Sequence, residues 1–65
     1  MELQIKDEGS IFLLDAGNED ASQWLAENLD PNATRWGSAY VVEGRYVDNI
    51  VQGFEADGGT VNILL

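Results

Sequence analysis

Val47-Asp48-Asn49-Ile50-Val51-Gln52-Gly53-Phe54-Glu55-Ala56-Asp57-Gly58-Gly59 decides the fold. Val47, Ile50, Val51 and Phe54 fall at i, i+3, i+4 and i+7, the spacing of one apolar helical stripe. The spacing predicts a helix from near Gly44 to Ala56. Asp57-Gly58-Gly59 stops it, because glycine takes the left-handed C-cap conformation without steric penalty. Gly53 inside that helix costs about 1 kcal/mol relative to alanine, so it marks either close packing on a sheet or a bend. Upstream, Ser38-Ala39-Tyr40-Val41-Val42 has the β-branched and aromatic content of a strand. Downstream, Thr60 to Leu65 alternates, with Val61, Ile63 and Leu65 on one predicted face.

Working back toward the N-terminus, Asn32 to Gly37 reads as a loop. Before it, Ala21, Trp24, Leu25, Asn28 and Leu29 share one helical face. Asn18 is the predicted N-cap, and Glu19 and Asp20 suit the positive end of the helix dipole. Asp30-Pro31 ends this helix, since proline disfavours helical geometry in the residue before it. Leu3 and Ile5 alternate with Glu2, Gln4 and Lys6, the period of a half-buried strand. Asp7-Glu8-Gly9-Ser10 is a turn signal, and Ile11-Phe12-Leu13-Leu14 is a second strand, so the two form a predicted β-hairpin. The order is β-β-α-β-α-β. It predicts a single α+β domain over residues 1–65: one layer of antiparallel or mixed sheet with both helices packed on one face.

The charge is the strongest functional signal. Twelve acidic residues stand against three basic ones and no histidine, giving a formal net charge of −9 on 65 residues. Such a field repels nucleic acid and membrane surfaces and attracts basic partners. Lys6, Arg35 and Arg45 cannot form the basic patch that direct nucleic-acid binding needs. A chain this short buries only about 60% of its unfolded surface, and small domains often recover stability from disulfides, metals or self-association. No cysteine is present, so disulfides and thiolate metal sites are excluded. A homo-oligomer or a stable complex becomes the expected supplement. No apolar run reaches membrane-spanning length. Met1 to Ile5 lacks the basic and apolar regions of a signal peptide, so a cytoplasmic location is the default expectation. Asn32-Ala33-Thr34 matches a glycosylation sequon, which without a secretion signal reads as a loop coincidence.

Catalytic and metal-binding patterns are weak. Asp30, Asn32, Thr34 and Ser38 take the spacing of calcium-loop ligands, but Arg35 stands where the loop needs glycine and Val41 where it needs a bidentate glutamate. Asp15, Asn18, Glu19 and Asp20 also cluster, and fit helix capping better. Nucleophilic serine chemistry needs a base; histidine is absent and Lys6 is the only lysine. Asp57-Gly58-Gly59 follows a helix and lacks the spacing of a phosphate loop. The reading is a non-enzymatic protein without cofactor or metal.

The candidate site residues are therefore surface groups. Glu19, Gln23, Glu27 and Asp30 lie opposite the Trp24/Leu25 stripe, with Asp20 on the flank. Such a carboxylate row can imitate part of a phosphate backbone, or simply solvate a helix face. Asp48 and Glu55 share a flank of the second helix, and join the candidate set. Arg45 opens that helix beside Tyr46 and can pair with Glu43 or Asp48. Trp36, beside Arg35, is either an exposed anchor for a partner or a lid on the small core.

Trp24-Leu25-Ala26-Glu27-Asn28, Trp36-Gly37, Val41 through Gly53 and Ala56-Asp57-Gly58 together resemble a group of small acidic proteins, uncharacterised in function, from bacterial and phage (mobile-element) genomes. The similarity covers roughly residues 11 to 63. It transfers no residue roles. It implies a phage or mobile-element setting, in which small acidic proteins include inhibitors of restriction and CRISPR systems, several of them DNA mimics. The expected function is an acidic inhibitor that blocks a basic, nucleic-acid-binding site of a host defence protein, of anti-CRISPR or anti-restriction type. The alternative is a homo-oligomeric accessory module whose acids only confer solubility, with contacts from an apolar edge or the Trp36/Tyr40 region.

Overall fold

The computed structural model describes residues 1–64. Their order is β1 (Glu2–Asp7), β2 (Ile11–Ala16), α1 (Glu19–Asn28), β3 (Arg35–Trp36), β4 (Ala39–Glu43), α2 (Gly44–Ala56) and β5 (Thr60–Leu64). The predicted α+β order holds, with one addition inside it. The segment 32–37, read as loop, contains the short strand β3. Two residues carry no periodicity. Only the pairing of Arg35 with Tyr40 and Trp36 with Ala39, around Gly37 at φ 62°, makes them a strand.

The sheet runs β3-β4-β2-β1-β5. Every neighbouring pair is antiparallel except β1 with β5. α1 links β2 to β3 across β4, and α2 links β4 to β5 across β2 and β1. Both are crossovers between strands that run the same way, and the right-handed rule places both helices on one face. One core confirms it. Ala21 and Leu25 of α1 and Val47 and Phe54 of α2 pack with Leu3, Ile5, Leu14 and Val42. Register explains the sorting. Ile5 stands opposite Leu14, Leu3 opposite Val61 and Phe12 opposite Val42, so these side chains face the helices. The intervening Gln4, Lys6, Leu13, Asp15 and Val41 face the other way, where no element among the described residues covers them.

The helix boundaries follow from local chemistry. The Asn18 side chain accepts from Ala21 N at 3.1 Å and from Glu2 N at 3.4 Å, so the cap also ties α1 to β1. Asn18→Ala is expected to lower stability by about 1 kcal/mol, read as a lower urea midpoint with unchanged slope. An unchanged midpoint would count against this role. At the other end of α2, Gly58 sits at φ 92°. Its N–H donates to the Glu55 carbonyl at 3.0 Å and the Gly59 N–H to the Phe54 carbonyl at 2.9 Å, the paired bonds of a Schellman cap. Gly53 lies against Trp24: a Cβ there would sit 3.5 Å from the indole. Gly53 therefore faces α1 through the Trp24 side chain rather than the sheet, at a distance a Cβ would also tolerate.

One expected core position is exposed. Val61 is half-buried against the core, but Ile63 is 64% exposed. α2 starts at the end of β4 and finishes at the start of β5, so it crosses the sheet obliquely. It leaves the far end of the edge strand β5 uncovered. The predicted inward position of Leu65 lies outside the described residues.

Candidate functional site

α1 buries Ala21 and Leu25 and half-buries Trp24 and Leu29. At about 100° per residue, its opposite side carries Glu19, Gln23 and Glu27, with Asp20 on the flank. All four are exposed, and so is Asp30 beyond the C-cap Leu29. The Asp30 carboxylate accepts from Asn32 N at 2.8 Å, which turns the chain and fixes the end of the row. Glu19 and Glu27 are separated by about 12 Å along the axis at 1.5 Å per residue. Glu19, Asp20 and Glu27 are thus exposed along the outer side of α1, and Asp30 is exposed just beyond its C-terminal end.

The structure does not bring Asp48 and Glu55 to them. Trp24 meets Phe54 edge-on with ring centroids 5.1 Å apart. Its Nε1 donates to the Asp57 carboxylate at 2.6 Å. With Gly53 against the same indole, this side of α2 faces α1. Asp48 and Glu55 lie roughly 140° and 160° round the helix from Gly53, on the flank toward β5. The candidate acids form two separate surfaces rather than one. Asp57 is a structural partner of Trp24 and belongs to neither.

The cations are held elsewhere. Lys6 Nζ lies 3.9 Å from Glu8, and Arg45 Nε 3.5 Å from Glu43. The Arg45 guanidinium also stands 4.8 Å from the Tyr46 ring centre. Arg35 covers Tyr40 at 4.1 Å and donates to the Ser38 carbonyl at 3.1 Å. These exposed pairs contribute little stability. They do show where positive charge sits: none is within 4.0 Å of Glu19, Asp20, Glu27 or Asp30 among the described residues.

Trp36 is not a lid. It is 65% exposed on the β3–β4 hairpin, on the face of the sheet that the helices leave bare. The calcium-loop spacing does not make a ring of ligands. Asp30 serves the turn, the Ser38 hydroxyl donates to Asp15 at 3.2 Å, and the Thr34 carbonyl accepts from Val41 N. Among the described residues no three carboxylates converge as a metal site. Sequence reasoning did miss an open groove of about 620 Å³ between the segment after α1 and the start of α2. Leu29, Ala33, Val42, Tyr46 and Ile50 form its apolar lining, and Asp30 and Glu43 its acidic rim. Three distant segments build it, so no local signal announces it. An apolar side chain beside a lysine or arginine fits that chemistry, and the groove opens at the Asp30 end of the α1 row.

No family model matches the chain, and neither a curated protein nor a solved structure is similar to it. The surface chemistry itself therefore carries the functional argument. No described helix is long and apolar enough to cross a membrane.

Proposed function

We propose that this is a non-enzymatic binding protein that presents the α1 carboxylate row to a basic protein surface. In a phage or mobile-element setting, that surface is the nucleic-acid-binding groove of a host defence protein of CRISPR or restriction type, and the row occupies it in place of phosphates. The observation that supports this most is the exposure of Glu19, Asp20, Glu27 and Asp30 with no ion-pair partner among the described residues. Carboxylates left unpaired at home keep their full field for a partner. That field steers encounter and makes the complex salt-sensitive. The groove next to Asp30 supplies an apolar foothold, which charge alone lacks. Asp48 and Glu55 add to the field from the far flank without sharing the contact.

The test is capture from a host lysate at low salt, followed by affinity measurement on the protein recovered. A basic nucleic-acid-binding protein, released by moderate salt and displaced by DNA, is the expected catch. The combined Glu19→Lys, Asp20→Lys and Glu27→Lys variant is expected to bind it on the order of ten-fold or more weakly, with the fold unchanged by circular dichroism. Asp48→Lys with Glu55→Lys is expected to cost less. Unchanged affinity in the α1 variant would overturn the proposal.

A further inference from the structure

We infer that the open groove between the end of α1 and the start of α2 takes an extended segment of the basic partner, in which an aliphatic or aromatic residue stands next to a lysine or arginine. The inference rests on the proposed reading of a basic protein partner and names how that partner is held beside the α1 row. It starts from the edge of β4. β3 spans only Arg35–Trp36, whereas β4 runs on to Glu43. The Val41 N–H donates to the Thr34 carbonyl at 2.9 Å. The chain before Thr34 then turns away, the Ala33 N–H donating to the Asp30 carbonyl at 2.9 Å. Backbone N–H groups alternate between the two edges of a strand, so the Glu43 N–H points to the same outer edge as that of Val41. Among the described residues no hydrogen bond joins it to a partner. An unpaired stretch of strand edge is a template for an extended backbone. The groove of about 620 Å³ lies along it, with Ala33, Thr34, Val42 and Glu43 in its lining.

Side-chain alternation and charge select the occupant. Adjacent residues of a strand point to opposite faces. A residue laid beside Val42 shares its face and enters the groove against Leu29 and Ile50, which calls for an apolar side chain. The neighbouring residue, beside Glu43, points to the other face and meets the Glu43 carboxylate, which calls for a cation. Asp30 adds a second carboxylate to the groove, and among the described residues no lysine or arginine lines it. Arg45 approaches Glu43 from outside the lining, at 3.5 Å. Such an exposed pair is weak and exchanges readily for an incoming cation. A second copy of this chain fits less well. Its neighbouring apolar and basic residues, Ile5-Lys6, Arg35-Trp36 and Arg45-Tyr46, are all held in β1, β3 and α2. A charge of −9 on each copy also opposes the approach.

The test is an NMR titration of the isotope-labelled backbone amides of the whole chain with the capped tripeptide acetyl-Arg-Ile-Arg-amide. Its apolar centre has a cation on either side, so it serves both strand directions. The expected result is weak, saturable binding with a Kd on the order of a millimolar. The Glu43 amide should shift as its N–H gains an acceptor, together with the amides of Leu29 and Ile50. Replacing the isoleucine by glycine, or both arginines by glutamate, is expected to weaken binding about five-fold or more. Glu43→Lys is expected to do the same; its side chain makes no cap hydrogen bond to α2, so circular dichroism should be unchanged. The inference is overturned by the absence of a saturable shift at peptide concentrations on the order of 10 mM. Equal binding of acetyl-Arg-Gly-Arg-amide, or shifts confined to the outer side of α1, overturns it as well. The peptide titration needs no captured partner, so its failure removes the groove contact alone. The basic-partner reading falls instead with unchanged affinity of the α1 variant.

Discussion

Phe54→Ala is expected to leave much of the population unfolded at room temperature. The Phe54 ring is fully buried and is the largest such side chain in the core. It holds three things at once: the edge of Trp24 on α1, the apolar face of the sheet, and the Gly58-Gly59 cap that turns the chain into β5. Truncating a buried phenylalanine costs about 3–5 kcal/mol. A chain of 65 residues has only about 3–10 kcal/mol to lose, at 0.05–0.15 kcal/mol per residue. The loss is therefore of the same size as the total. Urea denaturation followed by circular dichroism reads it directly, at concentrations low enough to keep self-association from adding apparent stability. A loss below about 1 kcal/mol would mean that the ring does not fill the space between helices and sheet.

Gly59→Ala is expected to destabilise the fold clearly, though less than Phe54→Ala, without removing any side chain. A Cβ on residue 59 would overlap Cε2 and Cδ2 of the Phe54 ring. The ring is fully buried and packed edge-on with Trp24, so moving it disturbs the core. Overpacking of this kind costs about 1–3 kcal/mol. The double variant with Phe54→Leu identifies the cause. A shorter side chain removes the overlap, so the two changes should cost less together than their separate costs added. Simple additivity would place the damage in the backbone of the cap instead.

Much of this fold was legible from periodicity. The stripe Val47/Ile50/Val51/Phe54 set α2, Asn18 set the start of α1, and Asp57-Gly58-Gly59 set a stop that the Gly58 geometry matches. These signals are local, and local hydrogen bonds and burial satisfy them. What stayed hidden depends on how elements meet. β3 exists only through pairing with β4. Ile63 alternates correctly yet lies beyond the reach of an oblique helix. The outward face of each helix was readable, but not the rotation of α2 against α1. That rotation is set by Trp24, Gly53 and Asp57, and it divides the six carboxylates into two surfaces. The groove beside Asp30 was hidden for the same reason.

The parallel pairing of β1 with β5 has a consequence for synthesis. Glu2 stands opposite Thr60, and the Thr60 N–H donates to the Met1 carbonyl at 2.9 Å. β1 leaves the ribosome well before β5 and must wait for it before its second edge is hydrogen-bonded. At about 5–20 residues per second, the nascent chain spends roughly 3–12 s with Leu3 and Ile5 beside an open edge. Native pairing this distant in sequence is slow to form and leaves strands exposed to other chains meanwhile. The formal charge of −9 does not depend on the fold, so like-charge repulsion opposes edge-to-edge joining of unfinished copies.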